Sequence, residues 1–210
     1  YWYWSRCIRS WNQLNARRMW GGERSIMAEE NIMIDIETLG GTPDGVILSI
    51  GAVRFDDKSI FDDFYVNVTI QSCLDVGMKI DPKTIEWWFG QSDAARSALF
   101  VDTISITDAM NRLREWFKKS ADKKIVWANG AAFDLAIVRR AFDLTGVGCP
   151  FHWGNEMCMR PIRRIGYMLG RDYSKDKKTG GVTLHNALED ARLQAKYVME
   201  VLALVRFNHE

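Results

Sequence analysis

From Met27 onward, apolar residues recur in the two rhythms of an α/β protein. Asn31–Ile36 is a short apolar run that leads to Gly40-Gly41-Thr42-Pro43, a strand entering a turn. Val46–Phe55 is a second strand-like run, closed by a turn at Asp56-Asp57-Lys58. Phe64, Val66, Val68 and Ile70 then alternate with Tyr65, Asn67 and Thr69, as in a third strand with one buried face. Such short connections predict an antiparallel meander. Helical patterns follow at Pro82–Phe89, Asp93–Phe100 and Thr107–Lys118, the last with Met110, Leu113, Trp116 and Phe117 on one side. Ile125–Ala128 reads as a short buried strand, and Asn129-Gly130 turns it into a helix around Asp134–Phe142. A final helix over Asn186–Val205 places Leu188, Ala191, Ala195, Val198, Met199 and Leu202 on one stripe. Arg171–Gly181, rich in Lys, Asp and Gly, reads as a flexible loop. The order predicts one mixed α/β domain over residues 27–210.

Composition sets bounds on this picture. A chain of 210 residues with 47% hydrophobic and 26% charged residues is a folded protein, not a disordered or low-complexity one. No run approaches the ~18 apolar residues of a membrane span. Four cysteines without ligand spacing predict a reducing, cytoplasmic setting rather than a disulfide scaffold. The net charge of +1 argues, taken alone, against a broad nucleic-acid surface. That average hides a seam. Residues 1–26 hold five arginines against Glu23, a net of +4, which leaves −3 for the rest. Trp2, Trp4, Trp11 and Trp20 crowd the same stretch, and Met27-Ala28-Glu29-Glu30 resembles a natural start. Residues 1–26 are expected to be a leader outside the fold, with a basic aromatic arm as the alternative.

The informative residues are acids in awkward places. Asp35 and Glu37 lie at i and i+2 of the first strand and project from one face. Paired like charges on a buried strand repel and raise each other's pKa unless a cation lies between them. A solvated edge strand with two harmless acids is the alternative. Asp134 stands at the start of a helix, where the macrodipole alone would favour an acid. His185-Asn-Ala-Leu-Glu189-Asp190 reads as an N-cap at Asn186 with Glu189 three residues on. His185 then sits at the mouth of the last helix and Asp190 in its first turns.

Together, Asp35-Ile-Glu37-Thr38, Asn129-x-x-x-Phe133-Asp134 and His185-x-Ala-x-x-Asp190 form an ordered signature over residues 31–205. It resembles that of the DEDDh 3′–5′ exonucleases, the superfamily of polymerase proofreading subunits and oligoribonuclease. Within it, the Gly-Gly-Thr-Pro insertion and Ile85-Glu-Trp87-Trp88-x-x-Gln91-Ser92 look most like a phage and bacterial subgroup, labelled exodeoxyribonuclease VIII or 3′–5′ exoribonuclease. The resemblance implies an RNase H-like fold, a mixed sheet of three antiparallel strands then parallel strands, flanked by helices. It implies two divalent cations, Mg²⁺ or Mn²⁺, about 4 Å apart. Asp35 would bridge them, Glu37 and Asp190 would complete one site, and Asp134 would serve the second. Hard cations of this kind prefer carboxylate oxygen. His185 would be the general base, with an unperturbed pKa of about 6.5 near working pH. Thr38 and Leu39 would contact the 3′-terminal nucleotide, and Asn129 and Phe133 would line the same pocket.

The partner implied is a nucleic acid 3′ end, with nucleoside 5′-monophosphate as product. Single-stranded or frayed DNA is the expected substrate, and RNA or an RNA–DNA hybrid the alternative. An inactive nuclease-like binding module is a remote reading, because no site position has been lost. A phosphohydrolase acting on small esters fits the motif order less well. Arg160, Arg163 and Arg164 share one helical face, followed by Arg171, Lys175, Lys177 and Lys178. They form a solvated face or a phosphate guide, and their position ahead of the third motif favours the guide. Trp87 and Trp88 are expected in the core. No membrane partner is implied, and the superfamily includes monomers as well as homodimers.

Overall fold

A computed structural model describes residues 30–119, 124–176 and 185–207. The arginine-rich stretch at residues 1–26 lies outside these, as do Lys177, Lys178 and the rest of the loop to residue 181.

Three strands, β1 (Glu30–Thr38), β2 (Ile47–Phe55) and β3 (Ile60–Asn67), form the expected meander. β4 (Lys124–Ala128) and β5 (Glu156–Cys158) add to the β1 edge in parallel, giving the order β3-β2-β1-β4-β5. Seven helices are seen among the described residues. They are α1 (Ile70–Asp75), α2 (Pro82–Phe89), α3 (Asp93–Ala98), α4 (Ile106–Lys118), α5 (Asp134–Thr145), α6 (Met159–Met168) and α7 (Ala187–Phe207).

Two elements depart from expectation. The apolar alternation through Ile70 does not continue as strand, because Thr69 becomes the cap position of α1 and Ile70 its first residue. Segment 171–176 is also no loose loop. Arg171 is clamped by Asp176 at 2.8 Å and Glu200 at 2.6 Å, and Tyr173 is buried in a 3₁₀ turn, Tyr173–Lys175.

Side-chain alternation on β1 divides the interior in two. Ile32, Ile34 and Ile36 enter a larger core with α4 and α5. Met33 enters a smaller one with Val53, Phe55 and the buried face of α7, which includes Ala191, Ala195, Val198 and Val201. The stripe expected on α7 is therefore rotated slightly, with Leu188, Met199 and Leu202 at its partly buried flank. Residues of β1 in phase with Met33 face α7. That phase includes Asp35 and Glu37.

Candidate active site

β1 and β4 run parallel, so their C-terminal ends open on the same edge of the sheet. Their pairing stops at Met33 with Trp127, before Asp35 is reached. Crevices beyond the carboxyl ends of such strands are where α/β sheets hold ligands. The chain leaving β4 turns through Asn129-Gly130 and starts α5 at Asp134. The Gly130 N–H donates to Asp134 Oδ2 at 3.2 Å, and its carbonyl accepts from the N–H groups of Phe133 and Asp134. The turn is thereby tied to the carboxylate it delivers.

The third motif arrives from α7. Asn186 Oδ1 accepts from the N–H groups of Leu188 and Glu189, both at 3.1 Å, as an N-cap should. Glu189 does not complete the capping box; it pairs with Arg192. His185 lies just outside the helix with φ at 68°, a left-handed conformation uncommon for a residue with a side chain. One ligand atom each from Glu37, His185 and Asp190 lie within 4.8 Å of one another. Glu37, Asp134 and Asp190 are 8%, 5% and 9% exposed.

Asp35 is the electrostatic hub. Burial pushes its carboxyl well above the usual carboxylate range, and the charges of Asp134, Glu37 and Asp190 add to the shift. The bond donated by Gln194 Nε2 to Asp35 Oδ1, at 2.7 Å, opposes it. Burial likewise raises Asp134 to about 6, against backbone N–H groups and the Arg160 guanidinium. Asp35 thus stands within the fields of three further carboxylates. A donor set of hard oxygens with one imidazole suits divalent Mg²⁺ or Mn²⁺, which fits the residues present.

A model of the Rv2179c-like 3′–5′ exoribonuclease domain matches residues 30–202. The chain belongs to this family. Among solved structures it is similar to the nuclease domain of 3′hExo, a DEDDh family member bound to rAMP, at 15% identity and a TM-score of 0.58. That match covers 83% of this chain and 92% of the other. Cell-death related nuclease 4 matches at 10% identity and a TM-score of 0.60, over 84% of this chain and 64% of that one. E. coli exonuclease I in complex with a 5cy-dT13 oligonucleotide matches at 16% and 0.56, over 85% and 41%. No curated protein matches the sequence. The fold is thus RNase H-like, shared with the DEDDh nuclease domain of 3′hExo, and by its family the chain is a 3′–5′ exonuclease.

The remaining positions of the exonuclease are more varied. Thr38 is buried and its hydroxyl donates to the Gly40 carbonyl at 3.0 Å. Leu39 lies in the larger core at 8% exposure, and Phe133 packs partly buried against it. Asn129 is half-buried, and its Oδ1 accepts from Arg163 at 3.4 Å. Of the expected basic guide, Arg171 is held in its acid clamp and serves the structure.

The tryptophan pair divides. Trp88 is buried as expected and donates from Nε1 to the Thr38 carbonyl at 2.9 Å. Trp87 is 45% exposed and meets the His185 ring edge-on, centroids 4.7 Å apart. Adjacent helical residues point apart, which is why one anchors α2 and the other reaches the site.

Sequence reasoning also missed Gln194 and Gly51. Gln194 is 3% exposed and stands one turn after Asp190; a polar residue amid that apolar stripe was the available signal. Gly51 pairs with Asp35 across β1 and β2. A Cβ there would lie 2.2 Å from the Ala187 carbonyl carbon and the Leu188 nitrogen. Glycine thus lets the first turn of α7 lie on the sheet beside Asp35, and an isolated glycine inside a strand was the clue.

Proposed function

We propose that the chain is a divalent-cation-dependent 3′–5′ exoribonuclease that releases nucleoside 5′-monophosphates. The observation that carries the reading is the convergence of Asp35, Glu37 and Asp190, with Asp134 acting on Asp35, beside a histidine at the mouth of α7. RNA displaces the DNA expected from sequence because the family spanning residues 30–202 is described as exoribonuclease.

Asp35, Glu37, Asp134 and Asp190 would hold two Mg²⁺ or Mn²⁺ ions. When bound, such ions neutralise phosphate charge, lower the pKa of water and stabilise the leaving oxygen. His185 takes the proton from the attacking water, and the Trp87 ring limits where its imidazole points. Gln194 holds Asp35 in one orientation. Thr38 and Asn129, at the ends of β1 and β4, contact the terminal nucleotide, with Leu39 and Phe133 shaping the apolar floor beneath it.

The test is digestion of matched RNA, DNA and hybrid strands of one sequence, with Mg²⁺ or Mn²⁺ and with EDTA. RNA should be shortened from its 3′ end fastest, and EDTA should stop the reaction. Faster turnover of the DNA strand would return the assignment to an exodeoxyribonuclease. Activity undiminished in EDTA would end the metal-dependent reading.

A further inference from the structure

Beside the acid cluster lies a cavity of about 290 Å³ lined by Arg160, Arg163, Arg164, Tyr167, Asp172 and Tyr173. It joins the site by two walls. Arg160 lies so close to Gly130 that a Cβ there would be 2.9 Å from its Nη2, and its charge acts on Asp134. Arg163 donates to Asn129 and stacks over Tyr173, 4.8 Å from guanidinium carbon to ring centroid. Tyr173 in turn feels the charges of Asp190 and Asp35.

Arg171, close by in sequence, shows what a structural arginine looks like in this protein, held between two carboxylates. Among the described residues, Arg160, Arg163 and Arg164 make no ion pair. Asp172 is the one acid in the lining, and its Oδ1 is engaged by the Ser174 N–H at 2.9 Å. Arginine forks match phosphate oxygens bidentately, and aromatic rings beside them suit a sugar or base.

We infer that this pocket is a second phosphate site, which holds a phosphodiester of the substrate strand upstream of the bond being cut. The inference rests on the exonuclease reading of the acid cluster. It divides the work between the two regions, with the acid cluster selecting the 3′ end and the arginines retaining strands long enough to reach them. A dinucleotide offers only the phosphodiester that is cleaved. Longer strands should therefore be preferred, and salt should erode that preference.

The experiment combines Arg160→Gln with Arg164→Gln and measures kcat/KM on an RNA dinucleotide and an octamer. The octamer-to-dinucleotide ratio should fall about tenfold. In parallel, binding of a labelled octamer is titrated against salt in an Asp35→Asn background, with and without the arginine changes. The slope of log affinity against log salt should become shallower by about 0.7 for each phosphate that is no longer neutralised. An unchanged length ratio with an unchanged slope overturns the pocket. A loss equal at both lengths does so too, by showing that the arginines support the acid centre instead. If the unaltered enzyme cleaves neither RNA nor DNA, the exonuclease reading falls, and the salt slope alone decides the pocket.

Discussion

Two charged clusters sit on the same sheet and differ in what stands at their centre, a cation in one and an acid in the other. At the start of β1, buried Arg54 meets Glu30 at 3.2 Å and Asp62 at 3.0 Å and lies under the Trp116 ring. At the far end, on the opposite face, Asp35 gathers three more acids and a glutamine. The first cluster sets a buried cation among its acids. The second gathers acids whose charges raise the Asp35 pKa. A buried ion pair serves the fold, and a buried group of like charges with perturbed pKa values marks a candidate functional site.

The sharpest contrast comes from removing the centre of each cluster. Asp35→Asn should lower turnover by roughly 10³-fold or more, while thermal unfolding without metal is unchanged or shifts upward. Arg54→Ala should do the reverse. It should cost about 3 kcal/mol in denaturant unfolding, chiefly through the lost buried pairing with Glu30, since Asp62 is substantially exposed. An Asp35→Asn protein that unfolds more easily would show that the acid centre serves structure after all.

The acid centre should also make stability depend on pH in an unusual direction. The Asp134 carboxyl has a folded pKa of about 6, against about 3.9 when unfolded. The folded protein therefore binds the proton more tightly, and stability is lost as pH rises through 6. Metal-free protein should gain about 2 kcal/mol between pH 7 and pH 4 from this group. Denaturant titrations in EDTA across that range test it. Divalent cation at about 100 times its Kd should restore about 2.7 kcal/mol at pH 7. Stability that falls steadily from pH 7 to pH 5 would contradict the direction.

Gly51 tests how closely the two halves of the site are held. Gly51→Ala should push the first turn of α7 off β2, at a cost of about 2 kcal/mol. Activity should fall by more than that loss of folded protein explains, because His185 and Asp190 move with the helix. Asp35 and Glu37 stay on β1, so the contrast between mobile and fixed halves would be visible as weakened metal binding. Ordinary activity in Gly51→Ala would mean that the helix seats itself by other contacts.

Much of this was legible in the residues. The strand meander, β4 and the last helix followed from periodicity, and the ordered motifs led to the exonuclease family. The losses have physical causes. β5 is three residues long and too short to show alternation. The first helical turn at Ile70 was hidden because its apolar residue continued the beat of β3. Gln194, Gly51 and Trp87 act through neighbours distant in sequence, and such contacts have no period.

Each cluster also carries a tryptophan, and the smallest prediction separates their roles. Trp116 covers Arg54 at 7% exposure, as packing. Trp87 is 45% exposed and edge-on to His185 at an interplanar angle of 85°. Aromatic pairs of this geometry contribute about 0.5–1.5 kcal/mol. Trp87→Ala should therefore lower kcat up to about tenfold with KM little changed, and Trp87→Phe should recover most of it. Combined with His185→Ala, it should add nothing further, because the ring acts through that imidazole. Trp116→Ala should instead lower stability and leave kcat per folded molecule intact. Should Trp87→Ala raise KM and add to the His185→Ala loss, the exposed indole holds a base of the substrate rather than the histidine.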